Sequence, residues 1–288
     1  MGDERPGFAA LLDASDGPLL LPGVGTPLEA IAAVQAGFPG LYLSGYATAG
    51  WQSGQPDIGL TGLREVLECL TAIRARTPQP ILVDADTGYG DVSNVTDTVR
   101  RLELAGARGI QLEDQTWPKR CGHLDGKTVE PVDVMVRKIR AALSARSSPD
   151  LFLVARTDAR SPLGLDEAIR RAQIYAEVGA DAVFVDAPHS AEELRRIGAE
   201  VPGRLVANIS ESGLTPTLPA RELGRLGFDL VLYPTGALRS AAAVVQEYFA
   251  HLHEAGDTSG WAGPMLSLED FNSLVGLEDY QRQDAALL

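Results

Sequence analysis

Acidic side chains at the ends of apolar runs are the first residues in this sequence equipped for chemistry. ILVDAD at 81–86 sets Asp84 and Asp86 two apart, so both carboxylates leave one face of an extended strand. GIQLED at 109–114 does the same for Gln111 and Glu113, and AVFVDA at 182–187 ends on Asp186. Asp84, Asp86 and Glu113 brought together would repel one another unless a cation neutralised them. Hard oxygen donors suit Mg²⁺ with several retained waters, or Mn²⁺ in its place. Asp86 alone could simply open the turn Thr87-Gly88-Tyr89-Gly90-Asp91 as an Asx cap. With Glu113 and Asp186 added, the metal reading is the stronger.

A second constellation is Lys119-Arg120-Cys121-Gly122-His123, in a loop after the fourth apolar run. A thiol flanked by cationic groups and an imidazole is drawn toward its thiolate, which suits it to acid–base work, and Gly122 would let such a loop act as a lid. Cys69, inside LREVLECLTAI, reads as helix core instead. Further polar residues end apolar runs in phase: Tyr42 with Ser44, Arg156 with Asp158, Asn208 with Ser210. Arg156 and Arg239, the latter expected at the end of the eighth run, offer bidentate grips for carboxylates. Any one of these could be ordinary surface polarity, but six consecutive strands ending so are poorly explained that way.

The elements that must position these groups follow from a recurring phrase, an amphipathic helix ending in a small or apolar residue plus Gly, then an apolar run. It occurs at Ala36-Gly37-Phe38, Ala105-Gly106-Ala107, Val178-Gly179-Ala180 and Leu226-Gly227-Phe228, and each marks a helix stop feeding a strand. With the runs near 18–24, 81–86, 151–158 and 204–210 the chain offers eight strands. Helical windows fall at 27–36, 62–76, 92–105, 132–146, 165–178, 190–199, 219–226 and 237–254. Strict alternation implies parallel pairing, and eight units without GxGxxG after the first strand predict a closed (β/α)8 TIM barrel over residues 1–256. Residues 257–288 read as a C-terminal helical extension. It has no strand of its own and carries Leu268, Phe271, Leu274 and Leu277 at helical spacing, so it should pack on the barrel or a neighbouring subunit.

Composition narrows the function classes. The 288 residues are 45% hydrophobic and 22% charged, enough for a large core. With 25 Lys and Arg against 39 Asp and Glu the formal charge is −14, the wrong sign for nucleic acid or anionic lipid. There is neither a membrane span nor a basic-then-apolar leader pattern, and two cysteines are too few for a disulfide framework. These features predict a cytoplasmic protein, and the metal site, anion grips and thiol at the strand ends point to chemistry on a small di- or tricarboxylate.

LYLSG, VDADTGYGD, LEDQTWPKRCGH, VARTDAR and NISESGLTP, in this order and across nearly the whole chain, resemble the isocitrate lyase and phosphoenolpyruvate mutase superfamily, with KRCGH the most specific element. The resemblance implies a Mg²⁺-dependent barrel that assembles as a homotetramer by exchanging its last helices. KRCGH is similar to the loop of the carbon–carbon lyases and of the carboxyphosphoenolpyruvate mutases. On the lyase reading, Tyr42, Lys119, Cys121 and His123 are catalytic: Tyr42 takes the proton of a substrate hydroxyl and Cys121 protonates the departing enediolate. Asp84, Asp86 and Glu113 hold the metal, and Ser44, Gly45, Tyr46, Gly122, Arg156, Asp186, Asn208, Ser210 and Arg239 bind substrate. Two departures from methylisocitrate lyases point away from methylisocitrate itself. Ser267 stands where those enzymes carry a substrate-binding Arg, and Asp186 replaces a Glu, with the bulky Tyr46 facing the substrate. The expected activity is cleavage of a 2-hydroxy dicarboxylate or tricarboxylate to an α-keto acid and a carboxylate. The alternatives are a phosphonomutase forming a C–P bond and a non-catalytic dicarboxylate-binding barrel.

Overall fold

A computed structural model describes residues 7–122, 124 and 126–287. Eight parallel strands close into a barrel in chain order: β1 (Leu19–Val24), β2 (Leu41–Leu43), β3 (Ile81–Asp84), β4 (Gly109–Glu113), β5 (Phe152–Thr157), β6 (Ala182–Val185), β7 (Arg204–Asn208) and β8 (Leu230–Tyr233). Closure is made by β1 and β8, with Leu19 beside Leu230 and Leu21 beside Leu232. All eight strands lie within the runs expected to form them. The helices are α1 (Phe8–Asp13), α2 (Pro27–Gln35), α3 (Gly45–Ser53), α4 (Leu63–Arg74), α5 (Val92–Leu104), α6 (Val132–Ala145), α7 (Arg160–Leu163), α8 (Leu165–Val178), α9 (Ala191–Glu200), α10 (Ala220–Arg225), α11 (Gly236–Ala255), α12 (Leu268–Leu274) and α13 (Leu277–Leu287).

Alternation within each strand divides the core in two. Leu19, Leu21, Tyr42, Leu82, Phe152, Val154, Phe184, Val206 and Leu230 fill the barrel interior, while Leu41, Leu43, Ile81, Val83, Ile110 and Val231 face the helices. The four Gly of the recurring phrase, Gly37, Gly106, Gly179 and Gly227, all have φ between 93° and 109°, a conformation that closes the last helical turn at no steric cost to glycine. Helix starts are equally local: Thr26, Ser44 and Ser190 each accept the backbone N–H of the third residue on.

Three helices were not anticipated. α1 is a short plug whose Phe8 is fully buried and meets Phe152 with ring centroids 6.1 Å apart, closing the amino-terminal end of the barrel. α3 starts inside the stretch read as a substrate loop, and α7 is a single turn after β5. The tail is two helices rather than one, broken at Gly276 with φ 79°.

α11 differs from every other long helix on the barrel. None of its 20 residues is buried, and Val245 and Phe249 are 46% and 61% exposed. Its first turn meets the barrel through Leu238, against Gly50 of α3. α12 and α13 also bury nothing, and the Arg76 guanidinium holds them to the chain through the Val275 carbonyl (2.7 Å) and the Tyr280 hydroxyl (3.1 Å). Among the described residues no helix is long and apolar enough to cross a membrane.

Phe8→Ala would empty the closed end of the barrel. It is expected to cost about 3–5 kcal/mol of stability, read as a lower urea midpoint at unchanged slope; a midpoint equal to that of the unmutated chain would show that α1 is ornamental.

Candidate active site

The carboxyl ends of the strands gather the polar residues named above around a cavity of about 40 Å³ lined by Tyr42, Ser44, Asp84, Glu113, Cys121 and Arg156 among others. An outer chamber of about 390 Å³ adjoins it, shares Tyr46, Asp57, Cys121 and Thr235 with it, and adds Ser210, Ser212 and Arg239. β2 supplies Tyr42, and the turn after it spends Ser44 and Gly45 on the start of α3: the Ser44 hydroxyl accepts the Ala47 N–H at 3.2 Å. The Gly45 N–H donates to Asp84 Oδ2 at 3.4 Å, an approach that a Cβ would crowd at 3.1 Å.

The acids are buried and held unequally. Asp84 accepts long bonds from the Asp86 N–H (3.3 Å) and Gln111 Nε2 (3.4 Å). Asp86, in the left-handed region with φ 46°, lies 2.7 Å from Lys119 Nζ, which also donates to Asp57 Oδ1 at 2.5 Å. Burial pushes the Asp86 carboxyl up to about 7 against the pull of Lys119, and it raises Glu113 well above the ordinary range against the pull of Arg156. Burial opposes the charge on Lys119, but Asp86, Asp57, Asp84 and Glu113 outweigh it and keep the ammonium protonated. Tyr42 accepts a bond from Gln111 Nε2 at 3.0 Å, and burial together with Asp84 holds its phenol protonated.

On the far side of the cavity Arg156 grips Asp158 with two bonds of 2.8 Å, reaches Asp186 at 3.1 Å and Glu113 at 3.4 Å, and lies over the Phe184 ring. Asn208 Nδ2 donates to Asp186 at 3.4 Å, and Ser210 and Thr235 share a hydrogen bond of 3.2 Å. Behind this group Asp114 accepts from Thr157, Tyr175, Arg171 and the Asp158 N–H at 2.8 to 3.0 Å, fixing the end of β5.

The donor set fits a divalent cation. Among the described residues no three His, Cys, Asp or Glu side chains are gathered closely enough to chelate an ion directly. Glu113 Oε1, however, is buried without a hydrogen-bond partner, and Asp84 is held only by long bonds. Six acids, Asp57, Asp84, Asp86, Glu113, Asp158 and Asp186, gather here, and the ion pairs that serve them come from Lys119, Lys127 and Arg156, so fully ionised acids would outnumber these three cations. A cation that keeps most of its water relieves that imbalance without close convergence of the acids.

Several expectations need correction. Arg239 is not at the end of β8 but in the first turn of α11, half-exposed, donating to the Glu211 carbonyl at 2.6 Å at the edge of the outer chamber. Arg156 is not an open grip, because three carboxylates already occupy it. His123 lies outside the described residues. Asp57 and Lys127 escaped notice because neither lies on a strand, and Asp114 because its alternation points it away from the Gln111 and Glu113 face. The remaining residues singled out, Tyr46, Gly122 and Asp186 included, lie at this mouth.

Fold and site together define a (β/α)8-barrel enzyme of the isocitrate lyase and phosphoenolpyruvate mutase superfamily. Residues 8–253 match the family model described as phosphoenolpyruvate phosphomutase, and the chain belongs to that family. It is 39% identical over 260 residues to the 2,3-dimethylmalate lyase of Eubacterium barkeri, covering 90% of each chain. It is also 39% identical over 284 residues to the 2-methylisocitrate lyase of Aeropyrum pernix, covering 98% of this chain and 91% of the relative. A crystal structure of 2,3-dimethylmalate lyase superposes with TM-score 0.90 at 32% identity, over 96% of this chain and 93% of the other.

The two thiols should separate cleanly. Cys69 is buried, donates to the Gly25 carbonyl, and is pushed up to about 11 by burial, whereas Cys121 is half-buried at the cavity. At neutral pH one thiol per native chain is expected to react with a maleimide, and Cys121→Ser should abolish that reaction while Cys69→Ser leaves it intact; two equally fast thiols would contradict the placement.

Proposed function

We propose that the chain is a Mg²⁺-dependent carbon–carbon lyase that cleaves a small 2-hydroxy dicarboxylate or tricarboxylate, of the dimethylmalate or methylisocitrate type, to an α-keto acid and a carboxylate. The observation that carries this reading is the placement of Tyr42 and Cys121 on the walls of one small cavity, a phenol from a strand and a thiol from a loop. A retro-aldol cleavage needs two such groups, because the hydroxyl proton leaves one fragment and a proton must reach the new carbanion of the other. A phosphonomutase releases no carbon fragment and has no need of the thiol proton.

Asp84 and Asp86 would hold the cation, Mg²⁺ or Mn²⁺, directly or through water, with Glu113 behind them. When bound it supplies Lewis-acid stabilisation of the developing oxyanion. The hydroxyl proton would pass to Tyr42 Oη. Burial and Asp84 both keep that phenol protonated, so this role requires the phenol first to give its own proton to solvent, with the charge of Asp84 engaged by the cation and Arg156 and Lys119 favouring the phenolate. Lys119 fixes Asp86 and Asp57, and with them the start of the loop that carries Cys121. Cys121 Sγ would deliver its proton to the enediolate of the leaving carboxylate. The inner cavity suits the small keto-acid half and the outer chamber the leaving half, near Ser210 and Arg239. The bare outer face of α11 and the tail supports an assembly of several copies, a homotetramer on the superfamily resemblance, with these helices packed on a neighbour.

Three measurements test this. Against a panel of malates, isocitrates, oxaloacetate and phosphonopyruvate, Asp86→Ala and metal-free protein should both lose turnover while circular dichroism stays native; turnover in EDTA-treated protein would remove the metal. Cys121→Ser should lower kcat by about 10²-fold or more with a much smaller change in KM, and a rate within a few-fold of wild type would remove the thiol from the mechanism. Deleting residues 257–288 should shrink the assembly in sedimentation, and an unchanged particle would place the tail on its own subunit.

A further inference from the structure

The Cys121 loop is anchored at both ends by buried lysines, and only the first belongs to the KRCGH motif. Lys119 sits between Asp57 and Asp86. Lys127, at the other end, has a fully buried side chain whose Nζ lies 3.1 Å from Asp158 and 3.5 Å from Asp186, and it also donates to the Gly122 carbonyl. Asp158 and Asp186 are themselves fully buried and are the two carboxylates that Arg156 grips from the opposite side. Lys127 thus completes a cluster of two cations and two carboxylates, three of whose members are fixed on or just past β5 and β6 while the fourth arrives on the loop.

We propose that Lys127 is a positioning residue, a latch whose ion pairs hold the Cys121 loop closed over the cavity. The inference rests on the reading of Cys121 as the proton donor for its consequence in catalysis, but not for the latch itself. With Lys127 withdrawn, Asp158 and Asp186 lose one of the two cations that pair with them, and the other, Arg156, also serves Glu113. Water must then enter, and it does so where Gly122 rests on Asp186, beyond the bonds that the Cys121 N–H makes to the Asp57 carbonyl (3.0 Å) and Gln115 Nε2 to the Arg120 carbonyl (2.8 Å). Contact geometry makes the latch exacting. A Cβ on Gly122 would stand 1.7 Å from Asp186 Oδ2 and 2.6 Å from the Arg156 guanidinium, so the loop reaches the cluster only because residue 122 is glycine. Closure brings Cys121 to the cavity by docking its neighbour, Gly122, on the same carboxylate that Lys127 neutralises.

The rate at which iodoacetamide alkylates Cys121 reads the latch directly, without reference to any substrate. In a Cys69→Ser background, Lys127→Met is expected to raise that rate by about tenfold or more, and Lys127→Arg, which keeps the charge, to bring it back most of the way. Gly122→Ala, which keeps Lys127 but pushes the loop off Asp186, should give the same increase, so the idea stays testable if Lys127→Met does not fold. Alkylation of Cys69 in a Cys121→Ser background must stay slow in each variant. A Cys121 rate within twofold of the unmutated protein in both variants, or a parallel rise at Cys69 from general loosening, would overturn the latch. If the latch holds but no carbon–carbon cleavage is found with the unmutated enzyme, the proposed reaction fails while the role of Lys127 stands.

Discussion

Burying carboxylates without enough cations to match them is the constraint on which the open end of this barrel depends. A buried acid left alone is costly, and removing one partner from a buried pair costs more than the pair ever contributed. The chain meets this by drawing each neutralising group from a different element than the acid it serves. Lys119 comes from the loop after β4 to Asp57 after α3 and Asp86 after β3, and Lys127 from the far end of the same loop to Asp158 and Asp186 after β5 and β6. Only Arg156 answers an acid of its own strand end. Charge compensation therefore doubles as mechanical bracing, and what remains uncompensated, Asp84 and the far oxygen of Glu113, is where a divalent cation is best accommodated.

The same bracing explains what could and could not be read in the sequence. Strand positions were legible because parity is unforgiving: a residue two places from an inward Asp84 must also point inward, and helix-ending glycines fix where each strand begins. Asp57 gave no such signal, since it sits in an irregular turn between α3 and α4 and reaches the site only because Lys119 bridges it to Asp86. Lys127 was hidden for the same reason. Arg239 was displaced by an element boundary, with β8 ending at Tyr233 and α11 beginning at Gly236, so a residue counted as strand end rides a helix. Ser44 was legible as a site residue but not as the N-cap of α3, because capping competes for the same hydroxyl that would greet a substrate. α1 offered too short a pattern, six residues with Phe8 its only buried side chain, to distinguish a barrel plug from a disordered lead-in.

α11 shows the limit of single-chain reasoning from the other direction. Its sequence predicts a barrel helix, and it is one in length and position, but Trp261 covers it only near Tyr248 and His251 and leaves Val245 and Phe249 exposed. Val245 and Phe249, like Phe271 and Tyr280 in the tail, are exposed, and their burial would require another copy or another partner surface.

The division of labour between strands and loop carries a mechanistic consequence. Asp84, Glu113 and Tyr42 stand on strands whose backbones are hydrogen-bonded on both sides, so the half of the site that would bind metal and substrate oxygen is formed before anything binds. Cys121 stands instead on the loop after β4, held by the Cys121 N–H on the Asp57 carbonyl (3.0 Å), by the Thr116 N–H on the Thr128 carbonyl (2.9 Å) and by the ion pairs of Lys119 and Lys127. On the lyase reading proposed above, a carbanion formed while that loop is away would meet water instead of the thiol, so cleavage would require the loop to be in place before bond breaking. On the same reading, a proton donor on this loop would couple chemistry to the loop's position, and Asp158 and Asp186, which Lys127 meets there, would be neutralised by the same contact.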